Sequence, residues 1–214
     1  MPREISQHVV FVAGAEDVDH LIVSTLRLIA SLDKVLCPSF GMGLRGVRGL
    51  GVAPAGWGRP QDRINPMVKS CDLFVGIISG KFGHPTGVAE SGTVEEFDIA
   101  AELRRLTGRA PEILLFFRRL PEPEGTCESE DLQRIRAFRC RISEELLWID
   151  FNDDEQFKMI CVEQLIAYIL SRGTFMGGVG EGATASPTRT GMQDEGTQLA
   201  SNSNVGGKAD GSSG

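Results

Sequence analysis

The residues best suited to chemistry lie between Cys71 and Ala101, in the run CDLFVGIISGKFGHPTGVAESGTVEEFDIAA. An apolar strand pattern, Leu73 to Ile78, leads through a glycine-rich loop, Gly80 to Gly92, into a helical pattern whose first turn holds Ser91, Gly92, Thr93, Glu95 and Glu96. Backbone N–H groups of such a loop and of a helix start can surround an anionic or hydroxylated ligand. Ser79, Gly80, Ser91, Gly92 and Thr93 are therefore candidate ligand-binding residues, and Glu96 is the candidate catalytic carboxylate. The positive end of the helix dipole favours the ionised form of a carboxylate placed here. An ionised group suits a nucleophile, or an acceptor for ribose hydroxyls, better than a general acid. The same residues also satisfy a purely structural pattern. Thr93-Val-Glu-Glu96 reads as a capping box, with Thr93 capping the helix and Glu96 reaching back to the Thr93 backbone N–H.

The elements that must position these residues alternate along the chain. His8 to Ala13 is a compact apolar run ending at Gly14, and Val18, Leu21, Ile22, Thr25, Ile29 and Leu32 recur at helical spacing, with Asp17 as the expected N-cap. Gly41 to Gly58, in which seven of eighteen residues are glycine, is expected to be a long irregular loop. Pro60 to Ser70 resumes a helical pattern before the Leu73 to Ile78 strand, and Thr93 to Leu106 is helical with Gly108 as its stop. Glu112 to Phe117 and Leu146 to Phe151 read as further strands. A helix marked by Leu132, Ile135, Phe138 and Ile142 lies between them, and Asp153 opens the last helix. Continuous apolar strands alternating with helices predict an α/β fold over residues 1–173: one three-layer parallel sheet of about five strands with helices on both faces. In such sheets ligands bind outside the carboxyl ends of the strands. From Thr174 to Gly214 the chain carries ten of its 26 glycines and almost no large apolar side chain, so a disordered tail is expected.

Composition excludes several function classes. Across 214 residues, 22 Lys plus Arg stand against 29 Asp plus Glu, a net charge of −7. Arg134, Arg136, Arg139 and Arg141 read as the solvated face of a helix, and no basic stripe suited to duplex nucleic acid is present. No apolar run approaches the ~20 residues of a membrane span, and the first residues have no signal-peptide pattern, so a cytoplasmic location is expected. Cys37, Cys71, Cys127, Cys140 and Cys161 lack paired spacing and read as reduced thiols; no metal site is expected from them or from the histidines. Gly41-Met-Gly-Leu-Arg-Gly46 matches G-x-G-x-x-G without the flanking strand and helix that give the motif its meaning. Gly76 to Lys81 fails as a phosphate-binding loop, because its spacing is short and Phe82 stands where a Ser or Thr is needed.

Four blocks in order, Gly58-Arg-Pro-Gln-Asp-Arg-Ile-Asn65, Cys71-Asp-Leu-Phe-Val-Gly-Ile77, Phe82-Gly-His-Pro-Thr-Gly87 and Glu90-Ser-Gly-Thr-Val-Glu-Glu-Phe97, resemble the domain-of-unknown-function 4062 family. That resemblance implies a flavodoxin-like α/β core similar to Toll/interleukin-1 receptor (TIR) domains and nucleoside 2-deoxyribosyltransferases. Family members stand alone in bacteria or at the N-terminus of STAND-type signalling ATPases. By motif position it implies that Gly92, Thr93 and Glu96 match a Gly-Thr pair and a helix-borne Glu that acts at an anomeric carbon, with Asp17, Ser91 and Thr93 positioning ribose hydroxyls. The chain departs from the family pattern at Ala13-Gly-Ala-Glu-Asp17-Val18, where members read Ser-Ser-Pro-Gly-Asp-Val, and at Gly41 to Gly58, where they carry an apolar strand.

Three functional expectations follow. The first is a cytoplasmic signalling or nucleotide-sensing module, part of a defence or STAND-ATPase-type system. The second is an enzyme cleaving an N-glycosidic bond in NAD or a nucleoside through Glu96. The third is a protein-interaction domain without a ligand. No resident cofactor is expected; NAD or a nucleoside would enter as substrate or ligand. The expected partners are a small nucleotide-type ligand and a second copy or a signalling protein, with no duplex nucleic acid and no membrane.

Overall fold

The side-chain alternation of the apolar runs decides the architecture. Along the first strand, Val10 and Val12 join one buried cluster while Phe11 and Ala13 join another. The Leu73–Ile78 strand divides the same way: Leu73, Val75 and Ile77 face one core, Phe74 and Ile78 the other. Successive side chains point to opposite faces, so both faces of these strands need a cover of helices.

The computed structural model describes residues 5–49, 57–120 and 129–174 and supplies that cover. The elements are β1 (Ser6–Gly14), a short 3-10 turn (Glu16–Val18), α1 (Asp19–Val35), a second 3-10 turn (Cys37–Phe40), β2 (Met42–Val47), α2 (Gln61–Lys69), β3 (Leu73–Ile78), α3 (Gly92–Thr107), β4 (Glu112–Arg118), α4 (Glu130–Ile142), β5 (Ile149–Phe151) and α5 (Asp154–Arg172). They form one five-stranded sheet in the order β2-β1-β3-β4-β5. Every pairing is parallel. Side chains of α1 and α5 cover one face, and those of α2, α3 and α4 the other. The expected flavodoxin-like three-layer α/β fold is present.

Several boundaries differ from the sequence expectation. Part of the glycine-rich stretch from Gly41 to Gly58 is a strand: β2 pairs with β1 over Ser6↔Met42 to Phe11↔Val47. Its glycines serve close packing, since a Cβ on Gly46 would lie 2.8 Å from Leu26 Cδ2 of α1. The G-x-G-x-x-G string thus falls within a strand, with Gly41 left-handed at its entrance. Asp17 does not cap α1; it lies inside the first 3-10 turn, and Val18 occupies the cap position. The Leu146 to Phe151 strand contracts to Ile149–Phe151, because β5 pairs with β4 only over Phe116↔Ile149 to Arg118↔Phe151. Leu147 is left exposed. Gly108, left-handed at φ 67°, ends α3 as expected.

Four cysteines, Cys37, Cys71, Cys140 and Cys161, are free thiols, and burial pushes Cys71 up to about 12. Cys127 and the expected tail beyond Thr174 lie outside the described residues. Thr174 itself donates its backbone N–H to Phe40 O at 3.0 Å. Among the described residues no helix is long and apolar enough to cross a membrane.

The core between α3, α4 and the sheet is organised by Phe138. Its ring meets Phe97 edge-on at 5.3 Å, Phe82 at 5.9 Å and Phe117 at 6.2 Å. Phe138→Ala would open a cavity among three aromatic rings and is expected to cost about 3–5 kcal/mol of stability, read as a lower chemical-denaturation midpoint.

Candidate functional site

Strand order reverses direction at β1: the chain moves outward to β2, then crosses back to β3 on the other side. The connections leaving β1 and β3 diverge at that point and leave a crevice at the strand carboxyl ends. A cavity of about 630 Å³ occupies it, bounded by Ala13 and Gly14 at the end of β1, Arg48 after β2, and the starts of α1, α2, α3 and α4.

Of the residues expected to form the site, Gly92, Thr93 and Glu96 line this cavity. Asp17, Ser79, Gly80 and Ser91 are not among its lining residues. Asp17 is spent on structure: its Oδ2 accepts from the backbone N–H of Gly80 at 2.9 Å and of Lys81 at 3.1 Å, tying the turn after β1 to the loop after β3. Ser91, 1% exposed, caps α3 by accepting from Val94 N at 3.3 Å. The expected capping box is therefore not formed. With Ser91 as the cap, the reciprocal Glu would have to stand at Val94, and Glu96 is released from that role.

Glu96 is 7% exposed, and the expectation of an ionised carboxylate is overturned by this burial. Desolvation raises its pKa to about 8; a hydrogen bond with Gln61 lowers it, but the neighbouring Glu95 charge raises it again. These effects outweigh the helix dipole, so near neutral pH the group is predominantly a carboxylic acid. Gln61 reaches it from the start of α2, lying so close to Gly92 that a Cβ there would collide with Gln61 Nε2.

Glu95 has the opposite electrostatics. It is as deeply buried, at 5% exposure, but its Oε1 accepts from Arg59 and from Asn65 Nδ2 at 2.8 Å. Burial raises its pKa, while hydrogen bonds from Thr86, Asn65 and Arg59 and the Arg59 charge outweigh that and hold it below the ordinary carboxylate value. Two adjacent glutamates at one helix start are thus separated into an ion-paired carboxylate that locks α2 to α3 and an acid presented to the cavity. Sequence reasoning singled out only the second, because Arg59 and Asn65 lie far from Glu95 along the chain.

Of the α4 arginines expected on a solvated face, Arg136 and Arg141 are exposed, whereas Arg134 and Arg139 are partly buried. Arg134 donates to the carbonyls of Gly83 (3.3 Å) and Glu90, at either end of the loop between β3 and α3, and stacks 4.8 Å from the Phe82 ring centroid. Arg139 pairs with Asp150 at 2.7 Å over Phe117 and Trp148, and Arg141 pairs with Asp98 at 2.9 Å. The loop clamped by Arg134 brings His84 to the cavity wall. Trp57, ahead of α2, is fully exposed. Among the described residues no group of His, Cys, Asp or Glu could hold a metal ion.

A family model described as a domain of unknown function, DUF4062, matches residues 39–166. The chain belongs to this family. No curated protein matches the chain. Among solved structures it is similar to the translation elongation factor SelB from Methanococcus maripaludis, with a TM-score of 0.42 and 15% identity over 81% of this chain and 36% of that one. The DUF4062 chain thus spans about a third of that factor's length. The RPS4 and RRS1 TIR domain heterodimer gives 0.42 and 13% identity, covering 78% of this chain and 97% of that one. An Aquifex aeolicus Era variant bound to GDP.AlF4- gives 0.39 and 9% identity, covering 79% and 57%.

Two measurements check the glutamate assignments. Arg59→Met strands the Glu95 carboxylate in the α2–α3 interface and is expected to cost roughly 2–4 kcal/mol; adding Glu95→Gln should restore most of it in a double-mutant cycle. Folded Glu96 keeps, up to pH about 8, a proton that the unfolded chain loses near 4.5. Its contribution to stability is therefore full below pH 4.5 and is lost as pH rises through 8. Wild type minus Glu96→Gln in unfolding free energy should fall steadily across that window.

Proposed function

We propose that this DUF4062 domain is a ligand-sensing α/β module that takes a nucleotide- or nucleoside-type molecule at the carboxyl end of its sheet and passes its occupancy to a signalling partner. The observation that carries this reading is the cavity of about 630 Å³ at the β1/β3 switch point, into which α3 presents the buried Glu96. Its size falls within the range of small-molecule sites, and its position follows the general rule for open parallel sheets. Thr93 and Glu96 supply polar groups for hydroxyls. Ser91, Asp17 and Arg134 act one step removed, as they hold the helix start and the loop between β3 and α3 in place.

One observation favours a second reading, cleavage of an N-glycosidic bond. A carboxyl with a pKa of about 8 is a proton donor near neutrality, and departure of a neutral nucleoside's base from ribose is assisted by protonation of the base. In this reading Glu96 protonates the base as the N-glycosidic bond breaks, water attacks the anomeric carbon, and the proton lost by that water returns to the Glu96 carboxylate; the nicotinamide of NAD, already a cationic pyridinium, leaves without needing that proton. This differs from the nucleophile expected of an ionised Glu96.

A thermal-shift panel of NAD, ADP-ribose and the common nucleosides tests the first reading. A ligand at 100 times its dissociation constant should add about 2.7 kcal/mol to apparent stability. A panel with no shift at millimolar concentration would sink the sensing function and leave an interaction domain. Chromatographic detection of released base from NAD and nucleosides tests the second: turnover that disappears in Glu96→Gln at unchanged melting temperature supports it, and no turnover in the wild type ends it.

A further inference from the structure

The charges around the cavity narrow what it can hold. Its cationic lining residues are Arg48, Lys81 and Arg134, and each meets a carboxylate in the same wall. Arg48 pairs with Asp19 at 2.6 Å, Lys81 with Glu16, and Arg134 with Asp131 at 3.7 Å. Glu130 adds a fourth carboxylate. Leaving aside His84 and the buried acid Glu96, three positive charges stand against four negative ones among the described lining residues.

Helix starts do not reverse this balance. The N-termini of α1, α2, α3 and α4 all lie at this end of the sheet, an arrangement that by itself attracts anions. Each of those helices, however, already carries an acidic residue in its first turn: Asp19, Asp62, Glu95, and Glu130 with Asp131. The N–H of Val94 in α3 is taken by Ser91, and that of Leu132 in α4 by Ser129. A site for phosphate needs the reverse, a surplus of donors and positive charge, since a phosphate monoester carries close to two negative charges near neutral pH. Carboxylates at a cavity rim are instead good acceptors for vicinal hydroxyls.

We propose that the cavity selects the unphosphorylated form of its ligand, an uncharged nucleoside with free ribose hydroxyls, and rejects the corresponding 5′-phosphate and dinucleotide. This rests on the ligand-binding reading of the same cavity and specifies its substrate class. Glu16 and Asp19 at the exit of β1 and Asp131 at the start of α4 are the specificity-determining residues. Glu16 keeps Lys81 from serving a phosphate and Asp19 does the same for Arg48, while Arg134 is held by the carbonyls of Gly83 and Glu90 with the Asp131 carboxylate beside it.

The test is titration calorimetry of the full chain at low salt with adenosine, guanosine and uridine, each beside its 5′-monophosphate, repeated at high salt. Expected is a nucleoside that binds about tenfold or more tightly than its monophosphate, a ratio that shrinks at high salt as screening weakens the repulsion. Glu16→Gln combined with Asp131→Asn should narrow or invert the ratio by freeing Lys81 and removing two negative charges from the cavity wall. Glu16 is exposed, whereas Asp131 is partly buried and accepts from the Phe82 backbone N–H at 3.3 Å; the wild-type salt dependence carries the test if that variant fails to fold. A wild type that binds a monophosphate as tightly as its nucleoside, or a ratio insensitive to salt and to the double substitution, overturns the selectivity while leaving the ligand-binding reading standing. A wild type that binds none of the six overturns the nucleoside selectivity, while the ligand-binding reading is decided separately by the wider thermal-shift panel.

Discussion

Because β1 and β3 carry large apolar side chains on both faces, neither can meet water, and each connection between parallel strands must cross over one face or the other. Everything at the candidate site descends from that constraint. Parallel strands with crossover helices put strand carboxyl ends and helix starts at the same end of the sheet. The reversal of order at β1 sends successive helices to opposite faces and keeps them from closing over the gap between them. The cavity exists because the sheet has to be covered on both sides, and its polar lining consists of helix starts and loops.

At the start of α3 this architecture sets two neighbouring carboxyl groups in contrasting surroundings. Glu95 turns toward α2, where Arg59 and Asn65 satisfy it and keep it charged. Glu96 turns toward the cavity, where burial and the charge of Glu95 favour the neutral acid. The two states are coupled, since the ion pair that stabilises Glu95 as an anion places a negative charge beside Glu96. Arg59 thereby influences a group to which it is not bonded. Gln61 links the two sides, reaching Glu96 from the helix that carries Asn65 and follows Arg59, past a glycine whose missing side chain makes room for it.

Much of the framework was legible in the sequence because it rests on periodicity. The Leu73 to Ile78 strand, the stop at Gly108 and the cap at Asp153 all depend on local rules of side-chain alternation and capping, and the structure carries them where those rules put them. Glycine misled the reading between Gly41 and Gly58. Composition there signals a loop, yet Gly46 is small because Leu26 of α1 lies against it, a relation between residues remote in sequence. The capping box at Thr93 failed for a local reason: Ser91, two residues earlier, competes for the cap and its backbone adopts the extended conformation a cap requires.

The sequence by itself determined the fold class, the family and the order of the elements apart from β2, and it singled out the segment from Ser91 to Glu96, because these depend on residue type and short-range spacing. Only the tertiary structure decided which residues meet there. It withdrew Asp17 and Ser91 into structural hydrogen bonds, brought Arg134 from α4 onto the loop between β3 and α3, and made Glu95 an anion and Glu96 an acid. The reason is physical: charge state depends on burial and on the partners within a few ångströms, and both are fixed by contacts between segments that the linear sequence keeps apart.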